Sequence, residues 1–405
     1  MAAEAKQQVR VAYFDEAVAF GGSVVVLAHL FNHIDRSLYV PKLVTSLDEQ
    51  SIKLLFREED ILHRFRPPLD YSCRVQWMQK SPSASSLVRR IWAYLFTAAA
   101  FVMNAPQYLR LLWKIVRFQP QLVHSNNGRD GPVFSRLLSV PMVWHLHGIA
   151  KNFVSSAYRA GERDAKFVCI SKYIASELNS QGVDQRRMFV VPNPAPPALP
   201  GGDGRDAWLS QEKIPDNAVV FAHVGRLVRW KGQLEFLKAF RRTVLSHPSI
   251  VALVVGADAE NLNTGYLGEL QKFVVDNGLA ENVRFTGHVS NVVEVMSYCD
   301  VVVHSSIEPE PFGLVITEAM STGAAVVAAR LGAPVEIIDD GETGFLVDPT
   351  DEAEFSSVLS RLAASVELRR RLGDAAKEVV AKRYAPEVFA RQLESVYGEV
   401  LASHH

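Results

Sequence analysis

Cysteine is scarce: only Cys73, Cys169 and Cys299 occur in 405 residues. They are odd in number, far apart, and none belongs to a C-x-x-C pair. That argues against a disulfide framework or a cysteine-based zinc site and fits a reducing cytoplasm. A charge excess is missing as well. The net charge is −1, so average electrostatics point to no nucleic-acid partner. The start of the chain reads as a strand, Val9 to Phe14, and not as the apolar core of a leader. No G-x-G-x-x-G fingerprint is present, which speaks against a nicotinamide site. There is also no G-x-x-x-x-G-K-[ST] P-loop and no H-E-x-x-H.

What is present is an ordinary globular mix, 48% hydrophobic and 21% charged. The length suggests two domains, each with a well-buried core. Valine-rich runs of strand length recur at Val219–Val224, Ile250–Val255, Val283–Thr286, Val301–Ser305, Ala325–Ala329 and Gly344–Val347. They are continuous and not alternating, as in strands covered on both faces. Helical patterns lie between them at Gln233–Val244, Tyr266–Asn277 and Gly313–Thr322. The first half repeats the theme at Val9–Phe14, Tyr39–Thr45, Gln121–His124, Met142–Leu146, Phe167–Ile170 and Met188–Val191. This alternation predicts an α/β fold of two doubly wound, Rossmann-like parallel sheets facing a cleft. The Pro/Gly-rich segment Pro192–Gly204 reads as the linker. It divides an N-terminal domain, 1–198, from a C-terminal one.

One stretch differs in charge. Between Asp70 and Asp130 there is no acidic residue, against eight basic ones: Arg74, Lys80, Arg89, Arg90, Arg110, Lys114, Arg117 and Arg129. They flank an apolar run, Ile91–Ala105, shorter than the roughly 20 residues of a bilayer span. Asn104 and Pro106 interrupt it. Two readings stay open: an anionic membrane surface as partner, or a buried helix hairpin with solvated arginines.

Four clusters carry polar chemistry. In Val224–Gly232, Gly225 releases the chain from a strand, and Arg226 and Lys231 follow. A planar fork and a point charge suit a diphosphate; the blander reading is two solvated cations. In Glu308–Glu318, Glu310 lies in a loop and Glu318 on a helix beginning near Phe312, with Pro311 in the first turn. Amides near Phe312, Gly313 and Leu314 suit an anion, and the carboxylates suit hydroxyls. The blander reading makes Glu310 a cap and Glu318 a surface charge. Gly21 and Gly22 precede a helical pattern and would allow close backbone approach to a ligand. His145 and His147 alternate in Trp144–Gly148; without nearby carboxylates at ligand spacing they suggest a hydrogen-bonding role over a metal site.

Together these motifs resemble the family 4 retaining glycosyltransferases of the GT-B fold. The resemblance rests on G-R-x4-K-G from Gly225, the E-x7-E pair E-P-F-G-L-V-I-T-E from Glu310, Ala324–Glu336, and G-E-T-G-F-L-V-D-P from Gly341. They come in the family's order and spacing. The likeness covers nearly all of residues 9–390 and is strongest over Val219–Pro349. It implies an N-terminal acceptor domain, a nucleotide-sugar domain over 199–384, and a C-terminal helix, 385–405, crossing back to the first domain. It further implies that Arg226 and Lys231 hold the donor diphosphate and Glu310 the sugar hydroxyls, beside the amides of Phe312, Gly313 and Leu314. Glu318 would hold the ribose diol. Gly21 and Gly22 would approach the phosphates, His147 the transferred sugar, and Val289 the nucleobase. No metal or other cofactor is implied. The implied reaction moves a hexose from a UDP- or GDP-linked donor to a glycan or lipid-linked acceptor; the basic Tyr71–Arg129 stretch, in the domain that binds acceptors in this fold, adds the expectation that this acceptor lies at the inner membrane face. Two departures, Asn193-Pro-Ala-Pro for Asn-Gly-Val-Asp and Gly148 for Asp, bear on acceptor geometry. Rival readings are a GT-B epimerase, which should lack the paired motifs, and a non-catalytic nucleotide-sugar binder, which should lack donor groups. A pyridoxal-phosphate phosphorylase would need a much larger chain.

Overall fold

The computed structural model describes residues 8–15, 21–65, 86–126, 130–148, 165–197, 204–258 and 265–404, with backbone alone for 86–101 and 130. The chain forms two compact units. One holds the described residues of Met1–Leu146, Ser155–Val168 and Glu394–His405; the other holds those of His147–Val154 and Cys169–Leu393.

The first sheet contains β1 (Val9–Asp15), β2 (Tyr39–Thr45), β3 (Ile61–Arg64), β4 (Leu122–Asn126), β5 (Met142–Leu146), β6 (Lys166–Cys169) and β7 (Met188–Val190). Its order is β3-β2-β1-β4-β5-β6-β7. The ladders of β1 with β2 and β4, and of β4 with β5, are parallel. Strands β4 and β5 are buried at every residue, the polar His124, Ser125, Asn126 and His145 included, as in a sheet covered on both faces. The helices here are α1 (Gly22–His33), α2 (Glu49–Leu55), α3 (Ser86–Phe118), α4 (Asp130–Leu138) and α5 (Lys172–Ser180). Short β3 follows a 3₁₀ turn and was not legible as a strand, because Ile-Leu-His-Arg carries no β-branched run.

The alternative that read 87–118 as a buried helix pair is corrected: α3 is one helix, with Pro106 inside it. Proline deletes one backbone bond and normally kinks or ends a helix. Here the chain beyond it is held by the fully buried Leu111 and Ile115, and packing outweighs local preference. Residues 66–85 and 127–129, including Arg74, Lys80 and Arg129, lie outside the described residues.

The second sheet contains β8 (Val219–Val224), β9 (Ile250–Val255), β10 (Val283–Gly287), β11 (Val301–His304), β12 (Ala325–Ala329) and β13 (Phe345–Val347). Its order is β10-β9-β8-β11-β12-β13, with every ladder parallel. The helices are α6 (Arg205–Gln211), α7 (Gln233–Ser246), α8 (Tyr266–Asp276), α9 (Val292–Tyr298), α10 (Leu314–Thr322), α11 (Pro334–Ile337), α12 (Glu352–Ala364) and α13 (Val366–Arg383). One core joins Phe221, Phe236, Phe240, Leu270 and Phe355. The last helix, α14 (Pro386–Ala402), ends in the first unit. There the Tyr397 hydroxyl accepts from Tyr13 at 3.2 Å and lies 2.7 Å from His124 Nδ1. Of the presumed linker, 192–197 is irregular and 198–203 lie outside the described residues.

Candidate functional site

Strands β8 and β11 are neighbours although β9 and β10 separate them in sequence. Strand order reverses between them, which makes the loops leaving their carboxyl ends the switch point of the sheet, the place where ligands bind in such folds. The first loop is Gly225–Gly232 and the second Ser305–Gly313. Gly232 makes their approach possible: its φ is 72°, and a Cβ would lie 1.8 Å from the Ser305 carbonyl oxygen. Only glycine fits both demands. The result is that Lys231 Nζ donates to Glu310 Oε2 at 2.6 Å.

Glu310 is buried and its Oε2 receives two further bonds, from His304 Nε2 at 3.0 Å and from Ser306 Oγ at 3.2 Å. A carboxylate only accepts, so Nε2 of His304 carries a proton. Burial would raise the Glu310 pKa, but the His304 bond and the Lys231 charge overcome it and hold the group down at about 2. Beneath them, His223 Nε2 meets the Lys231 carbonyl at 3.1 Å and Ser305 Oγ at 3.0 Å. Burial first, then the charges of His304 and Lys231, push that imidazole down to about 3. His223 is therefore a neutral strut between the two loops.

The Glu310 backbone is tied to the chain around Gly332, with Ala333 N–H donating to its carbonyl at 2.9 Å. Next to it, Ser171 Oγ donates to the Pro311 carbonyl at 2.7 Å, and the Phe312 ring meets Tyr384 edge-on at 6.1 Å. Gly313, in the left-handed region at φ 99°, caps α10. The helix begins at Leu314, so Pro311 lies ahead of its first turn and not within it. On α10, Glu318 stands among apolar neighbours; burial pushes its carboxyl up to about 7.

Arg226 is exposed, and its carbonyl accepts from Gln233 Nε2 at 2.9 Å. Backbone bonds from Gly225 N–H to Val255 and from Gly256 N–H to Gly287 align the ends of β8, β9 and β10. Val289 follows two residues beyond, half-buried. Arg226, Lys231, Val289, Glu310, Phe312 and Gly313 thus belong to loops that follow strands of the second sheet, while Leu314 and Glu318 lie on α10. Gly21 caps α1 and Gly22 opens it, in the first unit; residues 16–20 before them lie outside the described ones. His147 follows β5, and burial pushes its imidazole down to about 3, leaving a neutral group. Its neighbour His145 is fully buried against the His124 ring at 5.3 Å, so the two histidines do not share one environment. Cys169 and Cys299 are buried free thiols; Cys73 lies outside the described residues.

His223, His304, Ser305 and Ser306 were not picked out from sequence. The available signal was polarity at the end of apolar strands: histidine in Val-Val-Phe-Ala-His-Val, and His-Ser-Ser after three valines.

On α3 a second surface stands out. Val102, Pro106, Leu109, Trp113 and Val116 recur at spacings of three and four and are all exposed, Trp113 by 62%. Arg110 and Arg117 flank them, with the Arg117 guanidinium 5.6 Å from the Trp113 ring centre. Lys114 is turned aside to the Leu62 carbonyl at 2.9 Å. Among the described residues no helix is long and apolar enough to cross a membrane.

Two family models match in tandem: Glycosyltransferase Family 4 over residues 20–199 and Glycosyl transferases group 1 over 204–379. A D-inositol 3-phosphate glycosyltransferase of Corynebacterium efficiens is 30% identical over 306 residues, 69% of this chain and 71% of its own. The lipopolysaccharide core biosynthesis glycosyltransferase LpsE of Rhizobium meliloti is 29% identical over 238 residues, 58% of this chain and 64% of its own. Among solved structures, HepE of Anabaena in complex with UDP superposes with a TM-score of 0.75 at 20% identity, covering 96% of this chain and all of that one. HepE has also been crystallised with UDP-glucose.

Proposed function

This chain belongs to the family 4 glycosyltransferases of the GT-B fold, and from that premise we propose a retaining, metal-independent hexosyltransferase using a UDP- or GDP-linked donor. The observation that carries the reading is the Lys231–Glu310 pair at the carboxyl ends of β8 and β11. It joins a cation for phosphate and an acceptor for hydroxyls at the switch point, where such sheets bind ligands. The UDP and UDP-glucose bound by HepE favour uridine among the bases.

In this reading Arg226 and Lys231 hold the diphosphate, assisted by the first amides of α10. Glu310 accepts from the hexose, Glu318 from the ribose diol, and Val289 lies by the base. Gly21 and Gly22 approach the phosphates, and neutral His147 bonds to the sugar without adding charge. Residues 199–384 form the donor domain and 1–198 the acceptor domain. The bond between the sugar C1 and the phosphate oxygen breaks on the face where the acceptor oxygen bonds. The acceptor proton passes to the leaving phosphate. Fixed cations contribute most here, because charge grows on that phosphate.

We further propose a lipid-linked or envelope-glycan acceptor, reached at the cytoplasmic face of a membrane. The exposed α3 stripe supports it, since apolar side chains enter the interface while Arg110 and Arg117 meet anionic headgroups. A relative named for lipopolysaccharide core biosynthesis favours an envelope-glycan acceptor, and one named for D-inositol 3-phosphate favours a polar one.

The decisive test is thermal stabilisation by UDP, GDP, ADP and their sugar conjugates without metal. A ligand at about 100 times its Kd adds about 2.7 kcal/mol. Stabilisation by one base is expected; none with any of them would sink the donor reading. For the membrane, sedimentation with phosphatidylglycerol vesicles should be salt-sensitive and lost in a Leu109→Glu/Trp113→Glu double variant. Equal pelleting by the variant, or none by the wild type, would discard that part.

A further inference from the structure

All three side-chain bonds given to Glu310 by the described residues fall on Oε2: from Lys231, His304 and Ser306. The backbone of Glu310 is fixed independently through Ala333. The carboxylate is thus clamped at one oxygen, and Oε1 is the one left to accept from a ligand. Resting on the donor reading above, we propose that His304 and Ser306 are positioning residues that keep Glu310 aimed at the donor sugar when Lys231 turns to the diphosphate.

The reasoning starts from the three donors' different freedoms. Lys231 is a point charge on a flexible stem. It lies 4.2 Å from the Trp230 ring centre as well as against Glu310, so its ammonium can swing toward an incoming phosphate. His304 and Ser306 cannot follow. His304 closes the buried strand β11, and Ser306 follows it within two residues, both buried. A buried carboxylate left by the Lys231 ammonium, with no other donor to hold it, would be driven to take up a proton. A protonated Glu310 would lose acceptor strength toward the sugar. With His304 and Ser306 still donating, the ionised form and its orientation survive the departure of Lys231. The apo ion pair is then a resting contact, and the histidine–serine clamp carries the sugar-binding geometry.

This separates two ligands that share a diphosphate. Bare nucleotide engages Lys231 but not Oε1; the nucleotide-sugar needs both. The test is calorimetric titration of wild type, His304→Phe, His304→Asn and Ser306→Ala with UDP and UDP-glucose, and with GDP and GDP-mannose. His304→Phe retains a ring but no donor. It should weaken the sugar conjugate by roughly tenfold or more, one hydrogen bond to a charged group, while bare nucleotide changes less than about twofold. Ser306→Ala should do the same more mildly, and His304→Asn should restore part of the preference. A merely structural role would weaken both ligands alike or neither, and either result overturns the proposal. Loss of all nucleotide binding in the wild type would overturn the donor reading itself. Normal nucleotide binding with an unchanged preference in His304→Phe and Ser306→Ala overturns this inference alone.

Discussion

Glu310 and Glu318 are eight residues apart and chemically alike, yet their surroundings pull their pKa values in opposite directions. Glu310 sits at about 2, because donors on Oε2 outweigh its burial; Glu318 sits at about 7, because burial acts on it unopposed. The sign for stability follows. Folded Glu318 keeps its proton to a higher pH than the unfolded chain, so stability falls as pH rises from about 4.5 to about 7 and stays lower above. Glu318→Gln should therefore raise the unfolding free energy at pH 8, read by urea titration, by on the order of 1–3 kcal/mol, and change little below pH 4.5. A variant less stable than wild type at pH 8 would contradict the unopposed burial. The same residue should also weaken nucleotide binding when replaced, which makes it a case of stability held back at a site. Both glutamates were legible as a pair from their spacing. Their unequal ionisation was not, because it depends on His304 and Lys231, six and 79 residues away from Glu310.

At the level of elements, the ends of β8 and β11 meet through one glycine. Gly232→Ala would place a methyl in the left-handed region and against the Ser305 carbonyl. It should cost about 3 kcal/mol or more and weaken nucleotide binding together with stability, as read by denaturant titration with and without UDP. Wild-type stability in this variant would show that the two loops need not approach. Gly232 stood out in sequence as the end of a motif, but its tight contact with β11 became visible only in three dimensions. Helix α3 shows the opposite limit. Asn104 and Pro106 are local breakers, and a reading of neighbours alone stops the helix there. The buried Leu111 and Ile115 lie beyond the break and hold it. Most strands of both sheets were legible to within a residue or two, since a strand covered on both faces is rich in apolar residues, as in Ile250–Val255 and Ala325–Ala329. Strand β3 was not, being a four-residue edge with a mixed composition.

Across the whole chain, the last helix matters to a part of the fold hundreds of residues away. Val396, Tyr397 and Val400 are buried in the first unit, and Glu394 accepts from the Asp35 amide at 2.8 Å. A chain ending before Glu394 should lose about 5 kcal/mol or more of stability in that unit. Amide exchange should then quicken in β1 and β4 while β8 and β9 keep their protection. Uniform quickening, or none, would refute this division of labour. The sequence by itself determined the alternation of strand and helix, the parallel doubly wound class and the order of the glycine- and charge-bearing motifs. Those properties reside in short windows, where the period of the apolar residues and the spacing of glycine and charge report the backbone directly. Tertiary structure alone decided that β8 and β11 adjoin, that Lys231 closes on Glu310, and that His304 and Ser306 complete the clamp. These contacts join residues brought together by strand order, and strand order is set by how the faces of the whole sheet are buried.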